Sequence, residues 1–220
     1  MISIMMAGGV YCPLTPDEPR ARLELLFDES RASCTLIHNQ TVEHLANRVC
    51  LNLSTIIMEI LNSSYRYCQP INLKSPQWLT SSSPAIIIFT SGSTGKPKGI
   101  QMTHGNFIHS LSGVETDQLL IRTDTVLQRT PVTFDMHLQD ILGSLMLGSC
   151  LVLLPPGGDR DLDYILDAIE KYQISCLSTV PTVWTALIEH QEMLKYKLAN
   201  LRILLSSGCT SARELHLYLL

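Results

Sequence analysis

Short apolar runs alternate with helically spaced apolar positions through the second half of the chain. Because each run is short and continuous, it is typical of a strand that is buried on both faces. The runs cover residues 85–89, 126–127, 151–154, 174–177 and 203–205. Strands that alternate with helices of about 10 to 15 residues predict an α/β fold, with largely parallel sheets and flanking helices.

The segments between these runs show the spacing of amphipathic helices. Leu138, Ile141, Leu142 and Leu145 fall at i, i+3, i+4 and i+7, on one predicted helix face. The same spacing recurs over residues 162–169. Further helices are predicted over residues 106–120, 183–188 and 212–220.

The first part of the chain is less regular. Residues 15–18 have the sequence Thr-Pro-Asp-Glu, a capping box with proline in the first turn, which predicts that a helix begins there. Residues 34–37 predict a short buried strand. Residues 50–83 predict irregular structure, with one strand or helical turn at residues 56–61.

Composition limits the possible functions. The 220 residues include 16 Lys and Arg against 20 Asp and Glu, so the net charge is −4 and the basic surface of a nucleic-acid-binding protein is absent. No run of Lys or Arg indicates a membrane surface, and no apolar stretch of about 18 residues predicts a transmembrane helix. We therefore expect neither nucleic acid nor a membrane as a partner.

The cysteine pattern favours a reducing compartment. The seven cysteines are irregularly spaced and include no C-x-x-C pair, so zinc ribbons are unsupported and no metal-ligand cluster is predicted. Cys150 and Cys176 lie in apolar runs and are expected to be buried thiols. These features predict a cytoplasmic protein.

The strongest chemical signal is residues 90–99, with the sequence TSGSTGKPKG, directly after a predicted strand. Glycines let backbone N–H groups converge on an anion, while hydroxyls and lysines supply further donors and positive charge. The Walker A spacing is not met, because Pro97 follows Gly95-Lys96, and the alternative interpretation is an ordinary flexible loop. The candidate phosphate-binding residues are Thr90, Ser91, Gly92, Ser93, Thr94, Gly95, Lys96, Lys98 and Gly99.

Residues 90–99 resemble the signature loop of the adenylate-forming superfamily, which includes acyl-CoA synthetases, luciferases and the adenylation domains of nonribosomal peptide synthetases. They match its T-S-G-[ST]-T-G-x-P-K-G pattern without interruption. Residues 7–14 and 103–106 resemble further segments of the same superfamily. The resemblance implies that the loop holds the β- and γ-phosphates of ATP, with Mg²⁺ as the accompanying cation.

Residues 127–135, LQRTPVTFD, closely resemble the L-Q-K-T-P-x-[ST]-F-D pattern of the peptide synthetases. In that branch the aspartate, here Asp135, pairs with the α-ammonium group of an amino-acid substrate. A carboxylate suits this role because it offsets the loss of water from the ammonium group. The alternative interpretation is a helix N-cap, since Asp135 directly precedes a predicted helix.

The resemblance also implies a substrate pocket and an adenine site. The further pocket positions are Met136, Gln139, Ser178, Leu205 and Ser207. Gln139 replaces the tryptophan often found there and makes the pocket more polar, while Met136 and Leu205 have plain core positions as their alternative. Residues 206–209 resemble the segment against which adenine stacks, which assigns Gly208 to the ATP site, although the glutamate of that segment is absent.

The implied function is ATP-dependent activation of a carboxylate, an amino acid, as an acyl-adenylate, with transfer to the phosphopantetheine thiol of a carrier domain. Two alternatives stay open: an acyl-CoA synthetase-like ligase in which Asp135 is only a cap, and a non-catalytic remnant. Residues 1–220 are expected to form one partial adenylation domain. The C-terminal lid with its lysine has no counterpart in this sequence, so no catalytic residue is assigned and the 220 residues alone are expected to be inactive.

Overall fold

The computed structural model describes residues 1–41, 50–62, 76–91, 96–183, 185, 198–206 and 217–219. The chain divides into two compact units, Met1–Gly105 and Asn106–Leu220, and each is described by itself. Among the helices in the described ranges, none has the length and apolar character needed to cross a membrane.

Helices and strands alternate through both units. The helices are α1 (Ile2–Met6), α2 (Arg20–Ser30), α3 (Leu53–Asn62), α4 (His104–Thr116), α5 (Met136–Leu138), α6 (Ser144–Leu147) and α7 (Leu162–Tyr172). The strands are β1 (Thr35–Ile37), β2 (Cys50–Asn52), β3 (Pro84–Ser91), β4 (Pro97–Thr103), β5 (Thr125–Gln128), β6 (Cys150–Leu153), β7 (Cys176–Thr179), β8 (Ile203–Ser206) and β9 (Leu217–Leu219). A π-helical turn covers Gln139–Gly143, and a 3₁₀ turn covers Gly158–Arg160. Of the helix predicted over residues 183–188, residues 183 and 185 are helical and the others lie outside the described ranges.

The first unit contains an antiparallel hairpin of β3 and β4. The backbone of Tyr11 adds a parallel bridge to β3: its N–H donates to the Ala85 carbonyl over 2.8 Å, and its carbonyl accepts from the Ile87 N–H over 2.9 Å. Because β3 is paired on both edges, Ala85 and Ile86 are fully buried. The strand predicted over residues 85–89 is therefore confirmed as the centre of this sheet.

Helix α2 begins later than the sequence pattern predicts. Residues 15–18 form a turn in which the Glu18 N–H donates to the Thr15 carbonyl over 3.4 Å, and α2 starts at Arg20 with Pro19 at its N-cap. The predicted capping box is thus wrong. Proline disfavours the helical conformation in the residue before it, so Pro19 keeps Glu18 out of the helix.

Residues 50–62 are regular, although the sequence predicts irregular structure there. β1 and β2 pair in parallel, and α3 packs against both strands. The strand predicted over residues 34–37 is confirmed as β1, but only Ile37 of that strand is buried, so the predicted burial is wrong for the rest. The short element predicted at residues 56–61 is part of α3.

The second unit contains a five-stranded sheet in the order β6-β5-β7-β8-β9. β6, β5, β7 and β8 are parallel, and β9 is antiparallel to β8, which confirms the predicted α/β fold with a largely parallel sheet. The helix predicted over residues 212–220 is wrong at Leu217–Leu219, which form β9, and the rest of that range lies outside the described residues. A short apolar segment suits a helix or a strand equally well, and β8 supplies backbone partners that the sequence pattern does not reveal.

Helices cover both faces of this sheet. Leu127 of β5 and Leu177 of β7 pack in a cluster with α7, while their neighbours Val126 and Cys176 pack in a second cluster with α4 and α6. Neighbouring residues of a strand point to opposite faces, so a strand covered on both sides must be apolar at each position. This packing explains the continuous apolar runs.

The two cysteines predicted to be buried differ. Cys176 is buried, and its burial, together with the charges of Asp124 and Asp140, raises the pKa of its thiol to about 12. Cys150 is exposed, so that prediction is wrong. The reason is that Cys150 opens β6, which has a strand on one side only.

An ion pair ties together the amino ends of three parallel strands. Asp124, which precedes β5, is 2% exposed and accepts from Nε and Nη2 of Arg202, which precedes β8, over 3.0 and 2.5 Å. Ser175 Oγ, before β7, and the Ile121 N–H donate to the same carboxylate over 2.7 and 2.8 Å. Burial alone would raise the pKa of Asp124, but the hydrogen bonds from Arg202, Ser175 and Ile121 hold it below its usual value.

The π-helical turn joins α5 and α6 into one helical run. Leu138 and Leu142 are buried, but Leu145 is 53% exposed, so the predicted single apolar face is wrong at its end. A π turn has a longer hydrogen-bond period than an α-helix, which shifts the following side chains around the axis. Within the turn, a Cβ on Gly143 would lie 3.1 Å from Leu120 Cδ2, so glycine permits this close packing.

Candidate functional site

The described candidate phosphate-binding residues lie near the turn end of the β3–β4 hairpin. Thr90 and Ser91 end β3, Lys96 directly precedes β4, and Lys98 is the second residue of β4. All four are exposed. Thr90 pairs with Lys98 in the hairpin register, and the Thr90 hydroxyl donates to the Lys98 carbonyl over 3.4 Å. The hairpin thus presents hydroxyls and ammonium groups to solvent at one edge.

The predicted loop is shorter than the sequence indicates. Because Ser91 pairs with Pro97, the connection is confined to residues 92–96, and Gly99 lies within β4. Residues 92–95, which include four of the candidate phosphate ligands, lie outside the described ranges. In this hairpin the backbone pairing continues up to Ser91 and Pro97, directly beside the connection. The Gly/Ser/Thr composition of the segment is typical of a loop and so gives no sign of that pairing.

Gly99 is needed where the two strands of the hairpin face each other. It pairs with Phe89, and a Cβ at Gly99 would lie 3.3 Å from Phe89 Cε1 and 3.4 Å from Ile87 Cγ2. The missing side chain therefore gives room for the Phe89 ring beside the candidate phosphate loop. This packing role is distinct from the backbone freedom expected from the sequence.

Asp135 stands at the N-terminal boundary of α5 with an exposed side chain. Its backbone is helical (φ −62°, ψ −29°), whereas capping residues usually adopt an extended conformation. Its side chain makes no capping hydrogen bond, and only its backbone carbonyl takes part, accepting from the Leu138 N–H over 2.9 Å. The capping interpretation is therefore not supported for the carboxylate.

Two of the predicted pocket residues are neighbours on one face of the sheet. Ser178 of β7 and Leu205 of β8 are paired in register and are both buried. Leu205 packs in the cluster beneath α4 and α6, as its core alternative predicts. Met136 and Gln139 are half-buried on the helical run that follows Asp135. Ser207 and Gly208 lie outside the described ranges.

A buried carboxylate that the sequence analysis missed lies beside Ser178. Asp140, in the π turn, is 2% exposed and accepts from Ser178 Oγ over 2.7 Å and from Thr130 Oγ1 over 2.9 Å. Burial raises the pKa of Asp140 to about 6, against the opposing effect of these two hydroxyls. The sequence offered no signal for this, because in an α-helix Asp140 would lie on the face opposite Leu138 and Leu142, where a charged side chain is expected to be exposed.

The sequence pattern predicts that His137 lies at the surface, but the residue is fully buried, so that prediction is wrong. Its Nδ1 hydrogen-bonds to the Phe134 carbonyl at the start of the helical run. Burial lowers the pKa of His137, while the Phe134 carbonyl and the charge of Asp135 oppose that effect. The histidine therefore helps to fix the backbone on either side of Asp135.

Arg129 is a second residue that the sequence analysis did not select. It follows the carboxyl end of β5, and its Nη1 donates to Thr179 Oγ1 at the carboxyl end of β7 over 3.1 Å. Polar side chains thus gather where parallel strands end, which is where α/β sheets commonly bind ligands. Within the described residues, no group of three or more His, Cys, Asp or Glu side chains could hold a metal ion.

Comparison with known proteins finds relatives along most of the chain. The chain is 33% identical over 214 residues to one of the mycosubtilin synthase proteins of Bacillus subtilis, and the match covers 94% of this chain and 8% of that protein. Its structure is similar to the N-terminal subdomain of Klebsiella oxytoca NpsA, with a TM-score of 0.77 and 23% identity over 94% of this chain and 50% of that one. The AMPPNP-bound form of the nonribosomal peptide synthetase FmoA3 gives the same TM-score and identity, over 94% of this chain and 21% of that one.

The sequence profile of the AMP-binding enzyme family matches residues 1–217, and the chain belongs to that family. The structural likenesses, at 23% identity, show a shared fold. The chain spans 8% of the length of the mycosubtilin synthase protein and half of the NpsA subdomain.

Proposed function

We propose that the chain is part of an adenylation domain that activates an amino acid with ATP for transfer to a carrier domain. Family membership supports the use of ATP, and the exposed Asp135 carboxylate, which makes no capping hydrogen bond, carries the choice of an amino acid. An amino acid brings an ammonium group that must lose water on binding. A carboxylate that is not engaged by the helix can accept that group in a charge-assisted hydrogen bond.

The proposed reaction has two steps. First, a carboxylate oxygen of the amino acid attacks the α-phosphorus of ATP, so that an O–P bond forms and the bond to the departing pyrophosphate breaks. Second, the sulfur of a phosphopantetheine thiol attacks the acyl carbon, the thiol proton is lost, and AMP leaves. The contribution of this chain to the first step is to position the two substrates and to offset their charge.

The exposed end of the β3–β4 hairpin fits the triphosphate. The hydroxyls of Thr90 and Ser91 and the ammonium groups of Lys96 and Lys98 are all accessible there, and together they offer donors and positive charge to an anion. Mg²⁺ commonly binds through substrate phosphates with few protein ligands, so it would neutralise phosphate charge without a cluster of carboxylates. Gly208 is proposed to contribute to the adenine site on the basis of its sequence segment.

The remaining assignments follow from the same proposal. Residues 1–220 belong to one adenylation domain that contains the two compact units. Met136, Gln139, Ser178, Leu205 and Ser207 are proposed to shape the pocket for the amino-acid side chain. The five cysteines in the described ranges are free thiols, which supports a reducing cytoplasmic setting.

The test is amino-acid-dependent exchange of pyrophosphate into ATP, measured on the whole gene product with a panel of amino acids and fatty acids. Asp135→Asn removes the charge, and we expect the KM for the activated amino acid to rise at least about tenfold. Asp117→Asn is the matched control, because Asp117 is an exposed aspartate of the same unit, directly after α4. We expect that variant to keep the parental KM.

The other outcomes separate the alternatives. Exchange that depends on fatty acids, with no effect of Asp135→Asn, would establish an acyl-CoA synthetase-like ligase. Binding of ATP without exchange for any acid would establish a non-catalytic protein. For the phosphate end, Lys98→Ala is expected to raise the KM for ATP, while Lys171→Ala, which removes an exposed lysine from α7, leaves it unchanged.

A further inference from the structure

A buried polar cluster joins three segments that are far apart in the sequence. Asp140 in the π turn accepts hydrogen bonds from Thr130, which follows β5, and from Ser178 in β7. Asp140 is 2% exposed and Ser178 is 1% exposed. These groups therefore bind one another, away from solvent, on the face of the sheet that the helical run covers.

The cluster fixes the helical run that begins at Asp135. Asp140 lies roughly one and a half turns beyond Asp135, which is about 7 Å along the helix axis. Within the run itself, Ser144 Oγ donates to the backbone carbonyl of Asp140. Thr130 follows β5 and Ser178 lies in β7, so their bonds to Asp140 are the ones that connect the helical run to the sheet. The direction of the Asp135 end of the run therefore depends on the Asp140 carboxylate.

Burial of this carboxylate is unfavourable for stability. The burial raises the pKa of Asp140 to about 6, and an amide at the same position would satisfy both hydroxyls without a charge. A titratable group held in such a position, next to a candidate pocket residue, is typical of functional sites. Both carboxylate oxygens of Asp140 are engaged by the Ser178 and Thr130 hydroxyls.

We propose that Asp140 is a positioning residue of the amino-acid site, which holds Asp135 in place by tying the helical run to Thr130 and Ser178. This inference rests on the proposed function, because it assigns Asp135 as the ammonium partner. Asp140 acts through hydrogen bonds and not through its charge. An asparagine can keep both contacts, because its Oδ1 accepts from one hydroxyl and its Nδ2 donates to the other, whereas an alanine makes neither.

The experiment is a double-mutant cycle in pyrophosphate exchange on the whole gene product. Asp140→Ala is expected to raise the KM for the amino acid about tenfold and to leave the KM for ATP unchanged. Asp140→Asn is expected to stay within about threefold of the parent. In an Asp135→Asn background, Asp140→Ala should change the KM by less than about twofold, since residues that act through one another are not additive.

Asp124→Asn is the matched control for loss of stability. Asp124 is also a buried aspartate of this unit that accepts from a serine hydroxyl, but it lies at the amino ends of the strands. We expect Asp124→Asn to lower the melting temperature and to leave the amino-acid KM unchanged. An equal rise in KM in that control would overturn the proposal, because destabilisation alone would then account for the effect.

Two further results would also overturn it. A full effect of Asp140→Ala in the Asp135→Asn background would show that Asp140 does not act through Asp135. A rise in KM for Asp140→Asn as large as that for Asp140→Ala would show that the charge itself matters. The proposed function fails separately, through a lack of effect of Asp135→Asn in the parent, so the two failures are distinguishable.

Discussion

Loss of Arg202 should destabilise the second unit severely. Its guanidinium makes two of the four hydrogen bonds that Asp124 accepts, and its Nη1 also donates to the Gln118 carbonyl over 3.0 Å. In Arg202→Met, the Asp124 carboxylate stays 2% exposed but keeps only the donors from Ser175 and Ile121. Breaking a buried pair in this way costs about 3 to 5 kcal/mol, and we expect about 3 because Arg202 is itself 31% exposed on its side chain.

The assay is urea denaturation followed by far-ultraviolet circular dichroism, with Arg122→Met as the control. Arg122 is an exposed arginine of the same unit, so its replacement should change the free energy of unfolding by less than about 0.5 kcal/mol. The pH dependence gives a second check. The pKa of Asp124 is lowered in the folded protein, so its contribution to stability is present above pH 3.8 and is lost as the pH falls through the folded value.

The difference between parent and Arg202→Met should therefore shrink in acid, because protonated Asp124 no longer needs a cation. A loss below about 1 kcal/mol at neutral pH would refute the reasoning, since an unpaired carboxylate in this position cannot be so well tolerated. A difference that stays constant down to pH 3 would mean that packing of the arginine stem, and not its charge, is responsible.

Three other substitutions test separate features. The pKa of Asp140 is raised to about 6, so its contribution to stability is lost as the pH rises from 3.8 through 6. Between pH 4 and pH 7 the free energy of unfolding of Asp140→Asn, measured by chemical denaturation, should therefore rise by roughly 2 to 3 kcal/mol relative to that of the parent. An equal pH dependence in the two proteins would contradict this. Gly105 and Gly113 both lie in α4, but a Cβ at Gly105 would lie 2.9 Å from the Ser81 backbone carbonyl while nothing lies within 4 Å of Gly113, so Gly105→Ala should cost at least about 1 kcal/mol more than Gly113→Ala. Asp161→Ala removes the side-chain cap of α7 and should cost about 1 kcal/mol, seen as a lower melting temperature.

The sequence was informative where a local rule determines the structure. The apolar runs at β5, β7 and β8 predicted strands correctly, because a strand covered on both faces needs apolar residues throughout. The signature loop predicts the family from ten residues, and the family profile confirms it. The side-chain roles assigned to that loop and to Asp135 stay predictions.

The failures share a different cause. Leu217–Leu219 form a strand because β8 lies beside them, and Cys150 is exposed because β6 is an edge strand. The partners of Asp140 are 10 and 38 positions away, so the cluster with Thr130 and Ser178 has no local signature. These features depend on which segments meet in space, and the apolar pattern of one segment does not specify its neighbours.

The π turn makes the direction of Asp135 depend on the number of residues in the helical run. In an α-helix each residue turns the chain by about 100°, so deleting one residue between Leu138 and Gly143 would remove the turn and rotate Asp135 by about that angle relative to α6. The sequence would still read as an amphipathic helix that starts with an aspartate. A relative with one residue fewer here would point its aspartate in another direction. The aspartates of two relatives are therefore comparable only when the same number of residues separates each of them from α6.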